Sequence, residues 1–208
     1  MNVLVCGMGR AGSTAVFNIV KILLSEKYGD IYACHESNYD KKNQKKVNLL
    51  KTHNKDYDGW ADIIITTRRD IRDVMASFKQ FHSTYKPANA AKWAKTFINW
   101  HQKWFDKSNY EVVYEEFMSD RNKIIDEIAN ILNVESYNIT HINDKIDELK
   151  EIKVTKKLSF DKDTLIHKKH ISKHKGKVNI YNQILNKNEI NSIISVSEEW
   201  LKKFNYEI

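Results

Sequence analysis

The sequence predicts an α/β fold in three layers, a parallel sheet with helices on both faces. Three observations carry this. Short runs rich in Val and Ile alternate with longer segments of helical period. The first such run leads at once into a glycine-rich loop and a helix. The chain has 208 residues, 41% of them hydrophobic, which suffices for one sizeable core. The expected organisation is a single domain over residues 1–208, with a basic region at about residues 150–180.

Residues 2–6 form an apolar, Val-rich run that ends at Gly7 and read as a buried strand. From Ser13 to Lys27, Val16, Ile19, Val20, Leu23 and Leu24 keep helical spacing. Residues 31–34 and 47–50 read as the second and third strands, and residues 61–67 (ADIIITT) give the strongest strand signal. A helix is predicted from about Asp70 and another from Ala88 to about Phe105. On the latter, Trp93, Phe97, Trp100 and Trp104 recur as a core stripe, part of which can border a cleft. Residues 110–114 make the last clear strand, followed by a helix near residues 121–132. Residues 134–180 are polar, Lys-rich and only weakly periodic, and helical period returns over residues 186–204.

The net charge of +7 is local: residues 150–177 hold ten Lys against Glu151, Asp161 and Asp163, so the rest of the chain balances to zero. That tail keeps open a nucleic-acid-binding reading, but it contains no Arg and lacks interleaved aromatics. One Pro and six Gly exclude collagen-like and low-complexity classes. No run approaches ~18 uncharged apolar residues, so no membrane span is expected. The start Met1-Asn2-Val3-Leu4-Val5-Cys6 lacks the basic opening of a signal peptide. Cys6 and Cys34 are too few for a disulfide scaffold, which fits buried thiols and a cytoplasmic location. Only five residues are Arg, and four of them, Arg10, Arg68, Arg69 and Arg72, fall in two short segments. The rigid guanidinium fork suits phosphate or sulfate.

The loop Gly7-Met8-Gly9-Arg10-Ala11-Gly12-Ser13-Thr14 is an anion site by position, and three anions fit its spacing. Gly7, Gly9 and Gly12 match a dinucleotide fingerprint, with Glu36 past the second strand available to a ribose. A nucleoside triphosphate loop would have Lys after Gly12, where Ser13 stands. A nucleotide phosphosulfate suits a loop whose cation is Arg10 and whose hydroxyls are Ser13 and Thr14, with no metal ion.

Four further segments bear on the choice. Lys51-Thr52-His53 ends the third strand with a cation and a candidate base on the same side. Arg69 and Ser77 stand eight residues apart where the fourth strand passes into a helix. Tyr114-Glu115-Glu116-Phe117 leaves the fifth strand, and Lys173-His174-Lys175-Gly176-Lys177 lies in the basic tail. In this order the segments resemble the sulfotransferases that use 3′-phosphoadenosine 5′-phosphosulfate (PAPS), over roughly residues 3–180. The resemblance implies a P-loop NTPase-like sulfotransferase fold. It also implies that Gly9, Arg10, Ala11, Gly12, Ser13 and Thr14 bind the 5′-phosphosulfate. Arg69 and Ser77 would hold the 3′-phosphate, Tyr114 would lie near the adenine, and Lys173, Lys175 and Gly176 would close over the nucleotide. Catalysis would fall to His53 as base with Arg10 and Lys51 on the leaving group. The implied partners are PAPS, its product PAP and an acceptor hydroxyl on a sugar or small metabolite.

Judged singly, several of these residues have plainer readings. Arg68, Arg72 and Asp73 read as a solvated helix start, Ser77 as helix packing and Tyr114 as core. His167, His170 and His174 share a helical face, but no Cys or carboxylate completes a metal site there.

Overall fold

Residues 3–6 are apolar on both sides of the chain, so the strand they form needs a sheet covered on both faces. The computed structural model describes residues 1–53, 57, 59–83, 85–151, 160–167 and 176–208. It places β1 (Asn2–Gly7) at the centre of a five-stranded sheet with β2 (Tyr32–His35), β3 (Asn48–Lys51), β4 (Ile63–Arg68) and β5 (Tyr110–Val113). The strand order is β2-β3-β1-β4-β5 and every pairing is parallel. Each predicted strand forms within one or two residues of its expected ends. Tyr114 departs from expectation: it opens a helix instead of closing β5.

The helices are α1 (Ser13–Tyr28), α2 (Ile71–Phe81), α3 (Ala90–Phe105), α4 (Tyr114–Ser119), α5 (Arg121–Ile131), α6 (Ile139–Glu148), α7 (Tyr181–Ile184) and α8 (Lys187–Lys203). Strand alternation divides them between two layers. Val3, Val5, Leu49, Ile65 and Val112 face a core filled from α1, α5 and α6. Leu4, Cys6, Cys34 and Leu50 face the other side, where Trp104 of α3 meets them and α2 and α8 pack behind. Each of these fully buried aliphatic side chains contributes roughly 1.5–3 kcal/mol through burial. Both cysteines are buried and free. No helix among the described residues is long and apolar enough to cross a membrane.

The topology decides between two readings of the glycine loop. In a dinucleotide-binding fold the order is 3-2-1-4-5-6, with the second strand beside the first. Here β3 takes that place and β2 lies at the edge. Glu36, the residue that reading would aim at a ribose, instead accepts a hydrogen bond from the Thr52 hydroxyl. The dinucleotide reading of Gly7, Gly9 and Gly12 is thereby corrected.

At the end of β1 the chain turns sharply, and Gly7 adopts φ +96°. A Cβ there would lie 2.7 Å from the Thr67 nitrogen and 2.8 Å from its carbonyl oxygen, both main-chain atoms of β4. Gly7→Ala is expected to destabilise the fold by at least about 2 kcal/mol, since conformational strain and a main-chain clash combine. A melting curve should show a fall of at least about 4 °C; an unchanged midpoint would contradict it.

Candidate active site

The loop after β1 is built around positive φ angles at Gly7 (96°), Arg10 (65°) and Gly12 (80°). Met8 N donates to the Thr67 carbonyl at 3.0 Å, and Val16 N donates to the Gly12 carbonyl at 3.1 Å. Between them, the amides of residues 9–15 meet no acceptor among the described residues. A run of amides without acceptors among the described residues, at the start of a 16-residue helix, is the backbone arrangement that suits an anion. The loop is pressed in from two sides. A Cβ on Gly9 would lie 2.7 Å from the Phe97 ring and 3.3 Å from Trp100, and one on Gly12 would lie 2.9 Å from the Tyr114 ring.

Three titratable groups converge beside this loop. Arg10 donates through Nε to Ser77 Oγ at 3.1 Å and lies over the Phe81 ring. Burial and the neighbouring Arg69 lower its pKa to about 10. Lys51 ends β3, and burial followed by the charge of Arg10 lowers its pKa to about 8. His53 is held to about 3, first by burial and then by Lys51. Its Nδ1 lies 3.1 Å from the Gly7 carbonyl and must donate to it, so Nε2 carries the ring's lone pair. Helix α3 grips this residue twice: Trp100 stacks on the imidazole at 5.6 Å and 17°, and Trp104 Nε1 donates to the His53 carbonyl at 3.2 Å.

A second cationic centre sits where β4 enters α2. Arg69 is 5% exposed and donates through Nη2 to Asp73 Oδ2 at 3.3 Å and to the Lys177 carbonyl at 3.0 Å. Its guanidinium lies 4.2 Å from the Tyr114 ring centroid. Its Nε is buried and has no hydrogen-bond partner among the described residues. A buried donor left unmet in this way is costly unless a ligand meets it. Asp70 caps α2 and takes Arg72 in a fork with contacts of 2.6–3.1 Å.

No protein-family model matches this sequence, and no curated protein does. Solved structures do. A mouse sulfotransferase complexed with PAP superposes with a TM-score of 0.66 at 13% identity, covering 97% of this chain and 84% of that one. The chain has the sulfotransferase fold. Retinol dehydratase, in a complex with retinol and PAP, superposes with a TM-score of 0.62 at 13% identity, covering 100% of this chain and 82% of that one.

Within this sulfotransferase fold, Lys51, His53, Arg69, Ser77 and Tyr114 gather around Arg10 and the rest of the loop. Gly176 joins them, since its carbonyl accepts from the Tyr114 hydroxyl at 3.1 Å. Lys173 and Lys175 lie outside the described residues, as do His170 and His174. His167 packs on the Phe81 ring at 5.1 Å. The solvated reading of Arg68, Arg72 and Asp73 is corrected. Arg72 and Asp73 are 5% and 0% exposed, and Arg68 pairs with Glu111 and lies over Phe204. Tyr114 is wedged between Gly12 and Arg69.

The sequence reading missed the contact of Trp100 with His53, for which the aromatic stripe was the available signal. It also missed the buried His101, which bonds Glu111 at 2.5 Å and receives the Trp200 indole N–H at 3.3 Å. A cleft of about 610 Å³ lies between α1 and α6, lined by Asn18, Lys21, Ile22, His141 and Leu149 among others; Asn18 donates to the Thr14 carbonyl at 2.8 Å.

Proposed function

We propose that the chain transfers the sulfuryl group of PAPS to an acceptor hydroxyl, leaving PAP. The observation that carries this reading is the pairing of two anion-seeking features: the amides of residues 9–15 and the buried Nε of Arg69, neither of which has a hydrogen-bond partner among the described residues. Both fit a nucleotide with a 5′-phosphosulfate and a separate 3′-phosphate. The PAP complexes of the structural neighbours support it.

The geometry supports the following roles. The acceptor oxygen attacks sulfur in line while the bond from sulfur to the 5′-phosphate oxygen breaks, and charge grows on that oxygen. The loop amides, Arg10 and Lys51 stabilise it, as preorganised donors do in phosphoryl transfer. Nε2 of His53 takes the acceptor's proton. Arg69 and Ser77 hold the 3′-phosphate, with Lys173, Lys175 and Gly176 as its further ligands. The Trp100 ring beside His53 forms a flat wall of the acceptor site, which suits a sugar or small metabolite.

Calorimetric titration with PAP, NADH and ATP–Mg²⁺ tests the reading. PAP is expected to bind at micromolar Kd. Arg69→Ala is expected to weaken PAP about 10- to 100-fold, the worth of a charged hydrogen bond. Tight NADH binding with no response to PAP would overturn it.

A further inference from the structure

Asp73 is the carboxylate that no role above uses, and it has no exposed surface. Both of its oxygens are fully engaged. Oδ2 accepts from Asn179 N at 2.7 Å and from Arg69 Nη2 at 3.3 Å. Oδ1 accepts from Ile180 N and Tyr181 N, each at 3.0 Å. These three consecutive amides open α7 and stand more than a hundred residues away in sequence. The same short segment is held twice more, through the Lys177 carbonyl on Arg69 and the Gly176 carbonyl on Tyr114. One carboxylate therefore fixes both the guanidinium proposed for the 3′-phosphate and the segment that flanks it.

We infer that Asp73 is a positioning residue for 3′-phosphate recognition, a latch that holds Arg69 and residues 176–181 as one unit. The inference rests on the function proposed above. Its chemistry is specific to a carboxylate: an amide in its place would turn an N–H₂ group toward N–H donors and break one of the two pairs. Loosening that grip frees Arg69 to move, while the loop cradle for the 5′ end stays in place.

The test compares PAP with adenosine 5′-phosphate, which differs only in lacking the 3′-phosphate, on wild type and Asp73→Asn. Wild type is expected to prefer PAP by about 30- to 100-fold, from charge-assisted bonds to that phosphate. In Asp73→Asn the preference should fall about tenfold, while affinity for adenosine 5′-phosphate stays within about threefold. A purely structural role would weaken both ligands alike and leave the ratio intact, and that result overturns the inference. Wild type that ignores the 3′-phosphate overturns the proposed function and the latch with it. Should Asp73→Asn not fold, amide hydrogen exchange on wild type decides. Exchange at Asn179, Ile180 and Tyr181 is expected to slow more with PAP than with adenosine 5′-phosphate; equal protection overturns the latch.

Discussion

His53→Ala is expected to lower kcat by roughly 10²- to 10⁴-fold, the range for losing a positioned general base, while PAP affinity stays within about threefold. The geometry motivates the size. Nδ1 is committed to the Gly7 carbonyl, the ring is clamped against Trp100, and the backbone is tied to Trp104, so Nε2 is presented in one orientation. The pH behaviour follows from the charges. Burial and Lys51 hold the free protein's imidazole at about 3, so protonation of His53 imposes no acid limb on kcat/KM for the nucleotide between pH 5 and 7. A bound phosphosulfate sets negative charge against Arg10 and Lys51 and raises the imidazole toward its operating range. The acid limb of kcat should therefore lie at higher pH than that of kcat/KM. Steady-state rates from pH 4 to 9 check this, and a variant with near wild-type kcat would remove His53 from the chemistry.

Lys51→Met is expected to lower kcat by about 10²- to 10³-fold, as for the loss of one donor aimed at a developing oxyanion. In wild type, kcat/KM should fall as pH rises through about 8, where the buried ammonium gives up its proton. Lys51→Arg should lack that limb, because guanidinium stays charged. Stability must move the other way. The folded value lies below the unfolded one, so between about 8 and 10.5 the unfolded chain binds more protons and stability rises with pH. Removing the charge in Lys51→Met should accordingly raise the midpoint at pH 7 while activity is lost. A variant that melts earlier and is inactive would show that the lysine supports the fold instead.

What was readable in the chain and what was not divides along sequence separation. The strands were visible because Val3, Leu4, Val5 and residues 63–65 are apolar on both sides, and α1 because its apolar residues recur at helical spacing. The glycine loop was visible because Gly7 and Gly12 occupy positions that a Cβ would spoil. Asp73 and Arg72 read as solvent-facing because their local neighbours are polar, yet Asp73 is buried by amides 106 to 108 residues later. His101 was hidden for the same reason, since Trp200 lies 99 residues away. Helix α6 showed only as an amphipathic fragment because its buried side is narrow, carried by Ile142 and Ile146.

Arg10 has a consequence for the history of the chain. It holds φ +65°, a conformation that costs an ordinary residue about 1–2 kcal/mol and glycine almost nothing. Its side chain is also half-buried near another guanidinium, which further disfavours its charge. Drift toward robustness would push position 10 to glycine and leave the loop's shape intact. Under the function proposed above, the arginine at this position serves reactivity at the expense of endurance, and heat tolerance would be gained most readily where turnover is surrendered.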